Sequence, residues 1–461
     1  MCGLCGILTP DGAAAQPEFG AAVERMTALM ERRGPDDAGA WLSPDGRVRF
    51  GFRRLAILDL TAAAHQPMLT ADGRYAIVCN GEVYNFRDLR AELERHGCTF
   101  RSTGDTEVVL QALVTWGPQA LQRFNGMFAL AFYDALTKRL LLARDPVGIK
   151  PLYYLAVSDH FVFASQYDQL LAHPASRNLS VDPDGLSLYL QLGYIPAPYA
   201  ALRHTSMVEP GTYVEVDDSG KAQVTRYYEF PQYVRPDLTG DDACDAVHAA
   251  VTEAVKRQMV SDVPLGTFLS GGIDSPLVAA LMASAASSTV RAYTIGTLGD
   301  ALDESADASR YAEELGLHHV VEHFAPARAV ELLDDVVQAC GEPFADYSIF
   351  PTMLVARLAR REVTVMLSGD GGDELFWGYP GRFGSVVESA SAFGEPLWLR
   401  SARRAATRYL GVGNTSPNLR MKSIGHWYRA KHSHVPQGWL RRMVPDLPDW
   451  PAGCTLFDYT G

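Results

Sequence analysis

The chain has 461 residues, and its 41 lysine and arginine residues against 54 aspartate and glutamate residues give a formal net charge of −13. This acidic balance argues against a protein that binds the phosphate backbone of nucleic acids, because such proteins cluster positive charge. Apolar residues make up 47% of the chain, but no run of about 18 of them occurs, which excludes a membrane-spanning helix.

Seven cysteines in a chain of this length do not indicate a disulfide framework. The first residues lack the basic and apolar stretches of a secretion signal, so we expect a soluble, cytoplasmic α/β protein. At roughly 150 residues per domain, the length indicates two or three domains.

The first half of the chain predicts short strands separated by turns, with two helices between them. One helix covers Phe86–Glu94, and another begins after Asp105, whose side chain can cap it. The predicted strands are Leu4–Leu8, Arg47–Arg53, Tyr75–Cys79, Phe128–Tyr133, Leu140–Ala143 and His160–Phe163, followed by a closing hairpin of Tyr213–Val216 and Val224–Tyr228.

Repeated prolines between Val181 and Pro236 mark the end of this region, so we predict two domains, 1–232 and 233–461. Beyond residue 240 helices and strands alternate, which predicts a parallel sheet that binds its ligand at the carboxyl ends of the strands. The predicted helices are Ala243–Met259, Ser275–Ala285, Ser305–Leu315 and Met353–Arg361, and the predicted strands are Leu265–Leu269, Arg291–Ile295, His319–His323 and Val363–Leu367.

Cys2 follows the initiator methionine directly. Removal of Met1 would leave a thiol and a free amine on one residue, and the amine, with a pKa of about 7.7–8.0, could accept the thiol proton. A cysteine at this position is by itself weak evidence. Cys2 and Cys5 also form a Cys-x-x-Cys pair, but the sequence offers no second pair to complete a zinc site and no following helix for a redox motif.

Several motifs strengthen the interpretation of Cys2 as a nucleophile. They are Arg32-Arg33-Gly34-Pro35-Asp36, Arg53–Asp59, Asn80–Asn85, Ser102–Glu107, Gly126–Ala129 and Arg144–Tyr154. In this order they resemble the class II glutamine amidotransferases, specifically the glutaminase domain of the asparagine synthetase family, from Cys2 to about residue 230. The resemblance implies an N-terminal nucleophile (Ntn) hydrolase fold, an αββα sandwich.

The same resemblance suggests how glutamine would be held. Arg54 could grip the glutamine carboxylate, while Glu82 and Asp105 could meet its ammonium group. Asn80 and the Gly81 N–H could form an oxyanion hole. The loop of Leu55, Ala56, Ile57 and Leu58 would line the site. Taken singly, these residues also fit a surface arginine, a hairpin turn and a helix cap.

A second set of motifs begins where a short apolar strand runs into Ser270-Gly271-Gly272-Ile273-Asp274-Ser275 and then a helix. Backbone N–H groups, two hydroxyls and a helix N-terminus would converge there on an anion. The Gly-Lys-Ser/Thr of a P-loop is missing. The loop resembles the pyrophosphate loop of adenylating ATP pyrophosphatases; an ordinary glycine-rich turn is the alternative.

The resemblance extends to Leu367–Phe376, which also follows an apolar strand. It implies that ATP is bound by Leu269, Ser270, Gly271, Gly272, Asp274, Ser275, Ile295, Ser368 and Gly369. Asp370 would lie by an acyl-adenylate, and Asp274 and Asp373 are candidate Mg²⁺ ligands. Leu269 and Ile295 would otherwise be plain core residues, and Asp373 part of an acidic turn.

The resemblance fades beyond about residue 400, where relatives continue with an Arg-x-Pro-Phe-Leu-Asp-like segment and a lysine that we do not find. We therefore expect a shortened family member whose last 60 residues form an exposed helical remnant. The predicted activity is ATP-dependent amidation of aspartate with ammonia from glutamine. Another acceptor acid, a bare glutaminase and a non-catalytic protein remain alternatives. The expected partners are small molecules rather than nucleic acid or membrane, and a homodimer is the candidate assembly.

Overall fold

The structure is a computed structural model that describes residues 1–157, 159–231, 237–297, 303–381 and 423–456, with isolated positions (383, 384, 387, 393, 396, 398, 399, 401, 402, 405 and 406) between the last two ranges. Contacts divide the chain into two compact units. The first comprises Met1–Ser180, Pro196–Glu342 and Ser348–Ser368, and the second comprises Val181–Ile195, Pro343–Tyr347 and Gly369–Gly461. The predicted domain boundary at residue 232, with Pro236, lies outside the described residues and stays a prediction.

Twelve strands of the described first unit form two antiparallel six-stranded sheets. They are β1 (Gly3–Leu8), β2 (Asp37–Leu42), β3 (Val48–Arg54), β4 (Met68–Leu69), β5 (Tyr75–Val83), β6 (Gly126–Asp134), β7 (Arg139–Arg144), β8 (Tyr153–Ala156), β9 (Phe161–Ala164), β10 (Thr205–Met207), β11 (Thr212–Val216) and β12 (Ala222–Arg226). The sheet orders are β10-β8-β9-β1-β3-β2 and β12-β11-β7-β6-β5-β4. The helices of this half are α1 (Pro17–Ala28), α2 (Phe86–Arg95), α3 (Thr106–Trp116) and α4 (Tyr167–Ala172), followed by α5 (Pro183–Leu192) of the second unit.

The two sheets pack face to face around one apolar layer. Leu4 and Phe50 of the first sheet share this layer with Val78 and Leu142 of the second. Helices α1 and α4 cover the outer face of the first sheet, and α2 and α3 cover that of the second. The layers therefore run helix, sheet, sheet, helix, which confirms the predicted αββα sandwich.

The predicted strands and helices of this half agree with the structure to within a few residues, but seven elements have no counterpart in the prediction: α1, β2, β4, β8, α4, α5 and β10. Strand β2 contains Ala38, Gly39 and Ala40, small residues that favour strands only weakly. Its pairing with β3 along six residues is what makes it a strand.

The following segment of the first unit alternates helices and strands, as predicted. These are α6 (Gly240–Gln258), β13 (Leu265–Phe268), α7 (Asp274–Ala285), β14 (Arg291–Thr297), α8 (Ser305–Glu314), β15 (His318–Phe324), α9 (Leu333–Cys340), α10 (Ile349–Ala359) and β16 (Val365–Leu367). The strands form a parallel sheet in the order β15-β14-β13-β16. The chain winds outward from β13 to β15 and returns to β16 on the other side of β13. Ligands in such sheets bind outside the carboxyl ends of the strands at this reversal.

The described part of the second unit is helical, with α5, α11 (Gly372–Phe376), α12 (Ile424–His432) and α13 (Gln437–Met443). Gln191 of α5 donates from Nε2 to the carbonyl oxygen of Asp449 at 2.8 Å and accepts the N–H of His434 at its own carbonyl oxygen at 2.7 Å. Trp427 and Leu440 are 8% and 1% exposed. Trp439 and Met443 of α13 are 64% and 60% exposed, so the expected exposed helical remnant is helical in the described residues and only partly exposed.

None of the helices in the described ranges combines the length and the apolar character needed to cross a bilayer.

Candidate active site

The Cys2 thiol lies just before strand β1 and faces the loop that follows β3. Its Sγ accepts the backbone N–H of Leu55 at 3.3 Å and lies 3.5 Å from the Leu55 carbonyl oxygen, to which the thiol can donate. Burial raises the pKa of the Cys2 thiol above its usual range. The predicted nucleophile and the predicted glutamine loop are thus brought together, and the thiol needs a base to ionise.

Asn80 is a buried residue of β5 that contacts Cys2. In the orientation that satisfies its amide, Nδ2 donates to the Cys2 carbonyl oxygen at 3.0 Å and Oδ1 accepts from Arg33 at 3.2 Å. The Arg33 Nε also donates to the Cys2 carbonyl oxygen, at 2.9 Å. The site residues named from the sequence did not include Arg33, although its motif was recognised as part of the family pattern.

The Gly81 N–H points away from β6, toward the open edge of β5. Along β5 the N–H of Cys79 donates to Gln66 and the N–H of Val83 donates to Asp105, both outside the ladder with β6. Because N–H direction alternates along an antiparallel strand, Gly81 shares the edge of these two residues. A Cβ at Gly81 would collide with the backbone of β6, which accounts for glycine at this position.

Two buried carboxylates lie next to this edge. Asp105 is 6% exposed and accepts the N–H of Val83 at 2.9 Å, and burial raises the pKa of its carboxyl group. Burial, and then the charge of Asp105, raises the pKa of Glu82 to about 7. Because burial disfavours the charged forms of both carboxyl groups, a cationic ligand such as an ammonium group would be favoured here, since its charge would offset theirs.

Arg54 shapes the loop that follows it. Its guanidinium donates to the carbonyl oxygens of Leu58 at 2.9 Å, Asp59 at 2.6 Å and Thr61 at 3.4 Å. Ala56 is held separately, through its N–H, by Asp36 at 2.8 Å. These bonds give Arg54 a structural role that the sequence did not indicate, while its predicted contact with a glutamine carboxylate stays a prediction.

The Ser270–Ser275 loop closes on itself at the carboxyl end of β13. The Ser270 N–H donates to Ser275 Oγ at 2.8 Å, and the two hydroxyl oxygens are 2.9 Å apart. Gly272 donates its N–H to Ser270 Oγ at 3.2 Å, and Asp274 is the first residue of α7. Two hydroxyls and the start of a 12-residue helix therefore meet at one turn, an arrangement suited to an anion.

Other predicted ATP-site residues have different surroundings. Leu269 is 3% exposed and packs in an apolar cluster, while Ile295 is half-buried against another cluster. Ser368 follows β16, the strand paired with β13, so it lies at the same sheet edge as the Ser270–Ser275 loop.

The remaining predicted residues, Gly369, Asp370 and Asp373, belong to the second unit. There Gly372 donates its N–H to the carbonyl oxygen of Gly369 at 3.1 Å, and Gly378 donates to that of Asp373 at 2.9 Å. Their roles toward a nucleotide stay predictions.

Comparison with known proteins adds the family. A family model described as "Glutamine amidotransferase domain" matches residues 1–228, and one described as "Asparagine synthase" matches residues 246–446. A Mycobacterium tuberculosis protein named "Putative asparagine synthetase, glutamine-hydrolyzing" is 36% identical over 98% of this chain and 72% of its own length. The chain belongs to the glutamine-hydrolysing asparagine synthetase family.

Two further relatives define how much of the family pattern the chain spans. "Asparagine synthetase, glutamine-hydrolyzing, 1" of Bacillus subtilis is 34% identical over 82% of this chain, which corresponds to 59% of that protein. "Amidase chry2" of Gibberella zeae is 28% identical over 82% of this chain and 59% of its own length. The family consists of glutamine-hydrolysing ligases. The relatives of this chain carry names for more than one activity, since one is named a synthetase and another an amidase.

Two further buried residues, one beside Met1 and one beside Cys79, were not predicted as site residues. Lys150 is 5% exposed, and its Nζ lies 3.3 Å from the sulfur of Met1. Gln66 holds Cys79 from both sides, accepting its N–H at 2.6 Å and donating to its carbonyl oxygen at 3.3 Å. Lys150 belongs to the recognised Arg144–Tyr154 motif, whereas Gln66 lies in no motif and only the fold reveals it.

Proposed function

We propose that the protein hydrolyses glutamine at Cys2 and uses the ammonia to amidate a carboxylic acid that ATP has activated, with aspartate as the first candidate acid. The observation that carries this proposal is the placement of Cys2, whose thiol accepts the Leu55 N–H while its carbonyl oxygen accepts from the Asn80 side chain. A second loop in the same chain, Ser270–Ser275, has the form of a phosphate site. The products would be the amide, glutamate, AMP and pyrophosphate.

In the glutaminase step the Cys2 thiolate attacks the amide carbon of glutamine. The base in this step would be a free α-amino group, whose ordinary pKa of about 7.7–8.0 leaves part of it neutral at neutral pH and able to accept the thiol proton. After removal of Met1 that base would belong to Cys2 itself. Asn80 and the Gly81 N–H would stabilise the oxyanion. The carbon–nitrogen bond breaks, ammonia leaves with a proton, and water hydrolyses the thioester to glutamate.

In the synthetase step an oxygen of the acceptor carboxylate attacks the α-phosphorus of ATP, and pyrophosphate leaves. Ser270, Ser275 and the N-terminus of α7 would hold the departing phosphates. Mg²⁺ commonly binds through one or two carboxylates together with substrate phosphates, and Asp274 at the start of α7 offers such a group. The ion would neutralise charge on the pyrophosphate. Ammonia then attacks the acyl carbon, and AMP leaves.

A cavity of about 530 Å³ is a candidate start for the passage of ammonia between the two sites. It lies between the first residues of β6 and helix α6, with Met127, Ile149 and Tyr228 among its lining residues, and it opens to solvent at Ile149, which is 56% exposed. Met127 pairs with Glu82, which lies beside the oxyanion residues. Passage through the interior would keep ammonia from being protonated and diluted in water.

The test is an assay of AMP and glutamate release by the purified 461-residue chain with ATP, Mg²⁺, aspartate and either glutamine or ammonium chloride. We expect both nitrogen sources to support AMP release. Cys2→Ala should abolish the glutamine-dependent reaction and retain the ammonia-dependent one. Loss of both activities in a folded Cys2→Ala protein would contradict two separate sites.

The second candidate function is amidation of a different acceptor acid. The similarity to the relative named "Amidase chry2" is the observation that supports this candidate. The same assay with a panel of carboxylic acids distinguishes the two, because AMP forms only with the acid that is activated. Glutamate formation without AMP for every acid would indicate a bare glutaminase.

A further inference from the structure

Asp262 joins the glutamine loop, residues 55–59, to the strand that leads into the Ser270–Ser275 loop. Its Oδ2 accepts the N–H of Asp59 at 2.7 Å, and its own N–H donates to the carbonyl oxygen of Ile57 at 3.0 Å. The two partners lie about 200 residues earlier in the chain. Two hydrogen bonds from one residue fix both the distance and the orientation of the loop relative to the segment before β13.

Asp59 is the fixed point of the glutamine loop. Its φ of 52° lies in the left-handed region, where an aspartate is tolerated but needs support. Its side chain accepts the N–H of Thr103 at 2.7 Å and that of Thr61 at 3.0 Å, and its carbonyl oxygen accepts from Arg54 at 2.6 Å. With its N–H on Asp262, the backbone of Asp59 has little freedom to move independently of that residue.

The loop held in this way begins at the nucleophile. Leu55, four residues before Asp59, donates its N–H to Cys2 Sγ. A displacement of Asp59 would therefore shift the Leu55 N–H that contacts the thiol, and this contact influences both the orientation and the ionisation of Cys2.

The other side of Asp262 leads directly to the second site. The connection to β13 is two residues, Val263 and Pro264, and it is stiff because Ser261 Oγ accepts the Val263 N–H at 3.2 Å and Pro264 accepts the N–H of Thr364 at 2.9 Å. Strand β13 then runs four residues to the loop that begins at Ser270. A continuous, hydrogen-bonded path thus connects the Ser270–Ser275 loop with the Cys2 thiol.

We propose that Asp262 is a positioning residue that couples the Ser270–Ser275 loop to the glutamine loop, so that Mg-ATP bound at the Ser270–Ser275 loop changes the rate of glutamine hydrolysis at Cys2. The inference rests on the proposed function. Coupling between two sites is typically about 5–150-fold and reciprocal for binding, so bound glutamine analogue would raise or lower ATP affinity by the factor that ATP applies to the analogue.

The test compares Asp262→Ala with the wild-type chain and with Asp217→Ala. Asp217 also accepts backbone N–H groups, but in the β11–β12 turn, so it serves as a matched control. Glutamate release gives kcat and KM for glutamine with and without Mg-ATP, and AMP release with ammonium chloride reports the synthetase site. In the wild type and in Asp217→Ala we expect Mg-ATP to change kcat/KM for glutamine at least about fivefold.

In Asp262→Ala the response to Mg-ATP should fall to less than twofold, while ammonia-dependent AMP release stays within about twofold of wild type. Asp262→Asn keeps an acceptor oxygen for the Asp59 N–H and should therefore retain part of the response to Mg-ATP. A full Mg-ATP response in Asp262→Ala, or none in a wild type that forms AMP from ammonia, would overturn the coupling.

Failure of the proposed function and failure of the coupling give different results. A wild type that releases no glutamate refutes the proposed function and, with it, the coupling. An acceptor other than aspartate leaves the coupling readable, because glutamate release with Mg-ATP does not depend on the acid. If Asp262→Ala loses ammonia-dependent activity through misfolding, Asp262→Asn decides, because it keeps an acceptor oxygen but weakens the bond to the Asp59 N–H: a response to Mg-ATP below wild type supports the coupling, and a response equal to wild type contradicts it.

Discussion

Glu82 offers a sharp test of the glutamine site, because its carboxyl group is buried and its role is predicted to depend on its charge. The side chain is 9% exposed and lies beside Asp105. The substitution Glu82→Gln keeps the shape of the side chain and removes the charge. We expect it to stabilise the folded protein above neutral pH and to impair glutamine hydrolysis.

The magnitude follows from the pKa. Burial and the neighbouring Asp105 raise the pKa of Glu82 from 4.5 to about 7, so the folded chain holds a proton between these pH values that the unfolded chain has lost. The free energy of unfolding therefore decreases as pH rises from 4.5 to 7. At about 1.36 kcal/mol per pH unit, the total loss is about 3 kcal/mol. The amide introduced by Glu82→Gln does not titrate, so the variant lacks this loss.

Thermal unfolding at pH 5 and pH 8 measures this difference. Wild type and Glu82→Gln should have similar Tm values at pH 5, and the variant should have the higher Tm at pH 8, by about 6–12 °C at roughly 2–4 °C per kcal/mol. Glu94→Gln, on the exposed face of α2, is the control and should change neither Tm.

Glutamine hydrolysis should change in the opposite direction. If the Glu82 carboxylate meets the ammonium group, kcat/KM for glutamine falls about tenfold or more in Glu82→Gln, the usual cost of a hydrogen bond to a charged group. In the wild type kcat/KM should decline below about pH 7 as Glu82 is protonated. Equal Tm values for the two proteins at pH 8, or a variant destabilised to the same extent at both pH values, would refute the reasoning.

Three other substitutions have definite expected outcomes. Gly81→Ala should lower Tm by several degrees and abolish glutamate release, because a Cβ would collide with β6; a wild-type Tm would contradict this packing. Ser270→Ala removes the acceptor of the Gly272 N–H and should reduce ammonia-dependent AMP release about tenfold or more, without changing glutamate release measured in the absence of Mg-ATP; unchanged AMP release would count against a phosphate site. Asp145→Ala leaves four backbone N–H groups without their carboxylate, and two of these, those of Phe128 and Lys150, are buried. At about 1 kcal/mol or more for each buried group, Tm should fall by about 4 °C or more, whereas the exposed Asp159→Ala should not change it.

Alternation of apolar residues and turn chemistry predicted most strands of the sandwich and nearly all of the parallel sheet. These signals are local, since each strand must present an apolar face and each turn needs particular residues. Strand β2 and helix α4 were not predicted, because β2 contains small residues and α4 is short, so neither has a strong local preference. Pairing of β2 with β3 and packing of α4 against the first sheet determine them.

The order of the motifs identified the family and brought Cys2, Asn80 and Glu82 forward as site residues, because chemistry of this kind requires a thiol, an amide and carboxylates at set places in the chain. The sequence contained no sign that Glu82 would be buried deeply enough to raise its pKa to about 7, or that Arg54 would bond to loop carbonyls. Nor did it show that Asp262 would reach Asp59. Burial and hydrogen bonds between segments some 200 residues apart arise only when the chain is folded, since they depend on which surfaces meet and how much water is excluded there.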